Sequence, residues 1–166
     1  MQMANDDMHY LNSAWNLWTH LPHDVDWSIN SYNNLYQFNT QEETIELTNN
    51  LDENFIKNCM LFIMRKDINP IWEDDNNKNG GCFSYKILNK NVKEVWKNLT
   101  YGLVGETLID VSNIDTSKLI NGITISPKKT FCIIKIWMKD CSLQNPQILN
   151  TNLNIDCGSC IFKKHI

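Results

Sequence analysis

Arginine is almost missing from this chain. Of 166 residues, 15 are lysine or arginine, and Arg65 is the single arginine. Aspartate and glutamate total 19, so the net charge is −4 and the pI about 5.5. Without a basic excess, non-specific coating of duplex nucleic acid is excluded as the main task. Recognition of one short, local piece of nucleic acid is not excluded. Long apolar runs are missing too. No stretch of 18 apolar residues exists, so no transmembrane helix is expected. Met1 to Met8 is polar and acidic, without the basic start and apolar stretch of a secretory signal. The expectation is a cytoplasmic protein, free of membrane, whose six irregularly spaced cysteines are free thiols. Internal repeats and low-complexity linkers are also missing, as are G-x-S-x-G, the P-loop and G-x-G-x-x-G.

Apolar residues make up 42% and charged residues 20%, which suits one domain with a real core. A short disordered lead is expected over residues 1–8, and one domain over 9–166. Asparagine is frequent, in pairs such as Asn33-Asn34, Asn49-Asn50 and Asn76-Asn77, and so are isoleucine and lysine. This bias reads as the imprint of an AT-rich genome rather than as chemistry. Six tryptophans run against that bias, since the tryptophan codon contains guanine. Fold or ligand requires indoles.

Alternation from His9 to Thr19 predicts a half-buried strand, and Ile29 to Phe38 a second. Leu21 to Trp27 reads as a loop. Thr40-Gln41-Glu42-Glu43 has the capping-box pattern. It opens a helix to about Leu51 with Thr44, Leu47, Thr48 and Leu51 on its inner stripe. Asn58 to Lys66 is a β-rich run, followed by a long polar loop from Asp67 to Gly81. Cys82 to Leu88 predicts a strand. Asn91 to Gly105 is the clearest helix, with Val92, Val95, Trp96, Leu99 and Leu103 on one stripe. Ile120 to Ser126 and Phe131 to Lys139 are strands joined by the turn Pro127-Lys128-Lys129-Thr130. One short helix is expected within 143–153, and Ser159 to His165 is the last strand. The fold class is α+β: one curved antiparallel sheet of about seven strands, with two or three helices on one face.

Several candidate sites weaken when weighed. Cys157-Gly158-Ser159-Cys160 lacks a second ligand pair for zinc, and it precedes a strand rather than opening a helix, so a structural role is favoured. His20, His23, Asp24 and Asp26 share a loop, where solvation is a better expectation than a metal. No nucleophile stands beside a base. Trp15 and Trp96 lie on apolar stripes and belong to the core; Trp18 is ambiguous. Trp27 and Trp72 lie in polar loops, beside Asp26 and Glu73. Two such rings can form a slot for a flat cationic or heterocyclic ligand, since indole is the best cation–π face and a base stacks well on it. Ordinary loop packing is the competing reading.

Those residues carry a resemblance. Asn69-Pro70-Ile71-Trp72-Glu73-Asp74-Asp75-Asn76-Asn77-Lys78-Asn79-Gly80-Gly81 resembles the P-x-W-E-D-x-x-N-K-x-G-G loop of the eukaryotic translation initiation factor 4E family, the messenger-RNA cap-binding proteins. His9 through Trp18, Trp27, Trp96, Gly105-Glu106 and Ile134-Lys135-Ile136-Trp137 match as well, so the resemblance spans nearly the whole chain. It implies a cap-binding domain, with the cap on the concave face and helices on the convex back. Trp27 and Trp72 would sandwich 7-methylguanine, whose N7 methyl group makes the purine cationic. Glu73 would accept from the guanine N1–H and amine, the Trp72 backbone N–H would donate to O6, and Trp137 would lie near the methyl group. No cofactor, metal or catalysis is implied. A nudix-like cap-processing enzyme would need a carboxylate cluster for Mg²⁺, and Glu42, Glu43 and Glu46 have a capping explanation.

The departures from the family pattern set further expectations. Lys128 keeps one basic triphosphate position, Thr130 and Ile133 fall where others are usual, and Lys129 or Lys135 would compensate. Lys135 shares strand parity with Trp137. Lys163, Lys164 and His165 fall where the family continues towards the second nucleotide. The family's partner helix docks on the convex back against a tryptophan; here that position is Ile45. Around it, His9 is followed by Tyr10 rather than proline, Asn98 replaces an acidic residue, and Lys97 and Tyr101 replace apolar ones. A dedicated scaffold or regulator is therefore expected on His9, Tyr10, Ile45, Asn98 and Tyr101. The segment from Asp140 to Ile155 is short for the family's third helix. The resemblance implies a monomeric initiation factor, or alternatively a competitor that holds capped messages without the usual scaffold. Composition and the altered back suggest a large DNA virus or an AT-rich protist as the source.

Overall fold

The computed structural model describes residues 7–112, 114–116, 118–150, 153, 156 and 158–165. The expected lead over 1–8 falls mostly outside the described residues, and so does Cys157 of the CxxC pair. Among the described residues, seven antiparallel strands form one curved sheet: β1 (Tyr10–His20), β2 (Asn33–Thr40), β3 (Met60–Arg65), β4 (Gly81–Leu88), β5 (Ile120–Pro127), β6 (Phe131–Met138) and β7 (Ile161–Lys164). Their spatial order is β2-β1-β3-β5-β6-β4-β7. The helices α1 (Gln41–Asn50), α2 (Glu53–Asn58) and α3 (Val92–Val104) give the described residues their α+β architecture. No helix among the described residues is long and apolar enough to cross a membrane.

Strand alternation sorts the side chains into two clusters. The larger joins the helices to the sheet through Trp96, Leu99 and Leu103 of α3, Ile56 of α2, and Trp15, Ile63, Phe83, Ile123 and Ile134. Trp15 and Trp96 are thus core residues, each worth a few kcal/mol of apolar burial, on the order of 25 cal/mol per Å². The smaller cluster lies on the opposite, concave face: Phe62, Met64, Ile68, Cys82 and Trp137, flanked by Trp18, Tyr32 and Met60. The ambiguous Trp18 belongs there. Chain reversal into α1 follows the sequence: Thr40 Oγ1 accepts from the Glu43 N–H, and the Glu43 carboxylate accepts from the Thr40 N–H. Thr44 and Thr48 are buried on its inner stripe.

Three elements differ from expectation. The second strand begins at Asn33, because Ile29–Ser31 close a 3-10 turn instead. α2 was hidden, since six residues are too few to show a helical period; Asp52 caps it by accepting from the Asn54 N–H. Within 143–150 the described residues form the 3-10 turn Pro146–Ile148 in place of the expected helix. At Gly122 the register of β5 against β6 shifts. A Cβ there would stand 2.3 Å from the Ile63 carbonyl oxygen, so β3 and β5 approach this closely only at glycine.

The single arginine is a structural residue. Arg65 Nη1 and Nη2 donate to Glu106 Oε1 and Oε2 at 2.9 and 3.0 Å, Nε donates to the Ile120 carbonyl, and the guanidinium lies 4.6 Å from the Trp15 ring centre. Glu106 ends α3 with φ 57°, the left-handed conformation that usually takes glycine. The fork–fork pair explains why a glutamate holds that place.

Candidate functional site

The concave face opens into a cavity of about 500 Å³, lined among others by Trp27, Tyr32, Phe62, Trp72, Glu73, Lys128, Lys135 and Trp137. The volume falls in the usual range for small-ligand sites. Trp27 and Trp72 are 51% and 46% exposed, and Glu73 is exposed beside them.

The loop carrying Trp27 follows β1. Asp24 accepts from the Asp26 N–H at 2.9 Å, and Asp26 accepts from the Ser28 N–H at 2.8 Å. These are turn contacts, and the Ser28 N–H holds the Asp26 carboxyl below its usual range. Nor is His20 solvated: it is fully buried, because it belongs to the end of β1 rather than to the loop. Among the described residues no group of His, Cys, Asp and Glu is arranged to hold a metal.

The loop carrying Trp72 joins β3 to β4 and is built around Asn77, which is fully buried. Its Nδ2 donates to the carbonyls of Asn69 and Ile71, both at 2.9 Å, and its Oδ1 accepts from Asn121 Nδ2 at 2.9 Å. Asp74 accepts from the N–H groups of Asn69 and Asn76. Both contacts flank Trp72-Glu73 and fix that dipeptide at the cavity mouth. Gly80 closes the loop; a Cβ there would lie 1.9 Å from the Met138 carbonyl oxygen.

A continuous chain of ring contacts links the two exposed tryptophans. Trp27 stacks on His20 (4.2 Å between centres), His20 meets Tyr32 (4.7 Å), and Tyr32 meets Phe62 edge-on (5.3 Å). Phe62 then meets Trp137 (6.4 Å), Trp137 meets His165 (5.0 Å), and His165 lies parallel to Trp72 (5.9 Å). The floor is therefore aromatic and firmly packed. Trp137 is buried, and its Nε1–H donates to Thr124 Oγ1 at 2.7 Å. Burial, with the Glu73 charge nearby, pushes the Tyr32 phenol up to about 12.

Lys128 and Lys135 line the cavity. The Lys135 ammonium lies 5.9 Å from the Trp72 ring centre. Lys129 is exposed in the β5–β6 turn and is not among the lining residues. On β7, Lys163 stands opposite Cys82 on the cavity side of the sheet, whereas Lys164 alternates to the other side. His165 does not extend outward with them. It is half-buried, with Nδ1 2.7 Å from the Asn77 carbonyl oxygen and Nε2 2.9 Å from Cys82 Sγ. Burial lowers its pKa, and the Lys135 charge adds to this. Burial also pushes the Cys82 thiol up to about 12.

On the helical side, His9 Nδ1 meets Glu42 Oε1 at 2.6 Å, and the Tyr101 hydroxyl lies 3.0 Å from Thr48 Oγ1. Tyr10 and Ile45 are 66% and 49% exposed, and Asn98 is exposed.

Sequence reasoning missed His20, Tyr32 and Asn77 as builders of the site. Asn77 was submerged in the asparagine bias. His20 was readable only through its parity with Trp18 on β1.

One family pattern fits nearly the whole chain. A family model described as eukaryotic initiation factor 4E matches residues 10–165. The chain belongs to that family. A eukaryotic translation initiation factor 4E homolog of Acanthamoeba polyphaga mimivirus is 50% identical over 64 residues, covering 39% of this chain and 23% of that protein. The initiation factor 4E of Saccharomyces cerevisiae is 31% identical over 142 residues, covering 81% of this chain and 63% of that protein. The chain thus spans less than two thirds of the length of these curated relatives. Among solved structures, the complex of C. elegans eIF4E-3 with the 4E-binding protein Mextli and cap analog superposes with a TM-score of 0.81 at 22% identity, covering 95% and 93% of the two chains. Ascaris suum eIF4E-3 with m7G cap gives 0.80 at 22% identity, covering 96% and 92%. These similarities establish the initiation factor 4E fold.

Proposed function

We propose that this member of the initiation factor 4E family binds the 7-methylguanosine cap of messenger RNA, without catalysis, and serves translation initiation. One observation carries the reading: two half-exposed tryptophans from separate loops line a single cavity with a carboxylate and two lysines. A flat cation between Trp27 and Trp72 gains from both ring faces. Glu73 accepts from the guanine N1–H and amine, a two-point contact that adenine lacks, and its charge opposes that of the methylated base. The Trp72 N–H donates to O6, and Trp137 packs towards the methyl group. The solved relatives named above contain a cap analog and an m7G cap, which supports the same ligand here.

The triphosphate runs towards Lys128 and Lys135, with Lys129 and Lys163 at the rim. Lys164 faces away, so any contact of the chain end with the second nucleotide falls to Lys163. The convex side, with His9, Tyr10, Ile45, Asn98 and Tyr101, takes a dedicated scaffold or regulator, and the factor acts as a monomer in the cytoplasm. Titration with m7GTP, followed by tryptophan fluorescence and by calorimetry, tests the ligand. Saturable quenching is expected; lack of binding at millimolar ligand overturns the reading.

A further inference from the structure

Trp27 presents a problem that the binding site alone does not solve. It sits in the loop between β1 and β2 with 51% of its surface exposed. A side chain so exposed ordinarily samples several rotamers, and a ligand must then pay to order it. The other wall, Trp72, is fixed through the Asn77 network.

His20 supplies the missing order. It lies at the end of β1, paired with Met60 of β3, and is fully buried. Its ring lies parallel to the Trp27 indole, 4.2 Å between centres and 8° between planes. Its Nε2 stands 2.8 Å from the carbonyl oxygen of Asp26, the residue just before Trp27. A carbonyl only accepts, so Nε2 carries a proton and donates. Tyr32 meets the imidazole at 4.7 Å, tilted by 52°. Nδ1 has no hydrogen-bond partner among the described residues, so the ring plane is set by Asp26, Trp27 and Tyr32 together.

From this geometry we infer that His20 is a positioning residue for the candidate cap slot: it holds both the backbone and the indole of Trp27, so that one indole face is backed by imidazole and the other is left to the ligand. The inference rests on the cap-binding reading for its ligand. The ring contact itself does not. The sheet transmits its rigidity to a loop tryptophan through one side chain, and the slot is formed before ligand arrives.

Two substitutions separate the parts of the contact. His20→Phe keeps a flat ring against Trp27 and loses the Asp26 hydrogen bond. His20→Gln keeps a donor and loses the ring. In the ligand-free protein, wild type is expected to show nuclear Overhauser contacts between the His20 imidazole and Trp27 indole protons; their absence overturns the inference whatever the ligand is. With m7GTP, His20→Gln is expected to weaken binding about tenfold, the scale of ordering one large side chain, and His20→Phe to keep most of the affinity. In a Trp27→Ala background, His20→Gln is expected to cost nothing more, because its effect passes through Trp27. Equal affinity of wild type and His20→Gln, or the same loss with and without Trp27, overturns the positioning role alone. Failure of wild type to bind m7GTP, with the ring contacts present, overturns the cap reading instead.

Discussion

Trp27 and Trp72 keep roughly half of their large apolar surfaces in water, while Trp15 and Trp96 are fully packed. The first pair is therefore expected to matter for ligand and the second for stability. Trp27→Ala and Trp72→Ala should each weaken m7GTP binding by about 1–3 kcal/mol, with melting temperatures close to wild type. Calorimetry beside thermal melts checks this; a large loss of stability with unchanged affinity would assign the rings to packing. Lys135 invites a sharper test. Ile133 falls where the family usually has a basic residue, and Lys135 lies two positions on, on the same cavity-facing parity of β6. Lys135→Ala should weaken binding and reduce the salt slope of log affinity by about 1. An unchanged slope would move the phosphates to Lys128 and Lys163.

Elements divide into those the chain announces and those it hides. β1 was legible through its alternation and α3 through its apolar stripe, while β5, buried almost throughout, and β6 were legible as strands joined by one turn. α2 was not, at six residues. The loop before β4 stood out through its Pro, Trp, Glu and glycine spacing, and it brings Trp72 and Glu73 to the cavity. Its internal scaffold was not, because Asn77 acts through contacts with Asn121 and His165 that are 44 and 88 residues away in sequence. Asn77→Ala should leave the Asn69 carbonyl without its donor and take one hydrogen bond each from the Ile71 carbonyl and the Asn121 amide. It should cost about 2–3 kcal/mol in urea unfolding and weaken ligand binding by loosening Trp72. His165 was expected at the ligand's far end with Lys163 and Lys164, but it packs against Trp72 and Trp137 instead. Its folded pKa is lowered from 6.5, so the fold favours neutral imidazole. That stability is present above the ordinary histidine range and is lost as pH falls below it. Wild type should lose more melting temperature between pH 7.5 and about 5.5 than His165→Gln; equal losses would contradict the assignment. Arg65 offers a stability test remote from the cavity. Arg65→Met should cost about 3 kcal/mol or more, since it leaves the Glu106 carboxylate, 11% exposed, without its fork.

At the scale of the whole molecule, one curved sheet separates two faces with different tasks. The helical side supplies most of the core, and Ile45 of α1 is exposed there, on the surface expected to carry a partner with its own anchors. The concave side spends its aromatic residues on a cavity rather than on a second core. Negative net charge fits this division, because the proposed ligand is held in one lysine-lined slot rather than on a broad basic surface. The account stands most directly on the charge of the ligand's base. Tryptophan fluorescence titration with m7GTP and with GTP, in one buffer and at one salt concentration, isolates that charge. The methylated nucleotide is expected to bind at least about thirtyfold more tightly, near the 2 kcal/mol of a desolvated cation–π contact. Equal affinity for the two nucleotides would contradict the account.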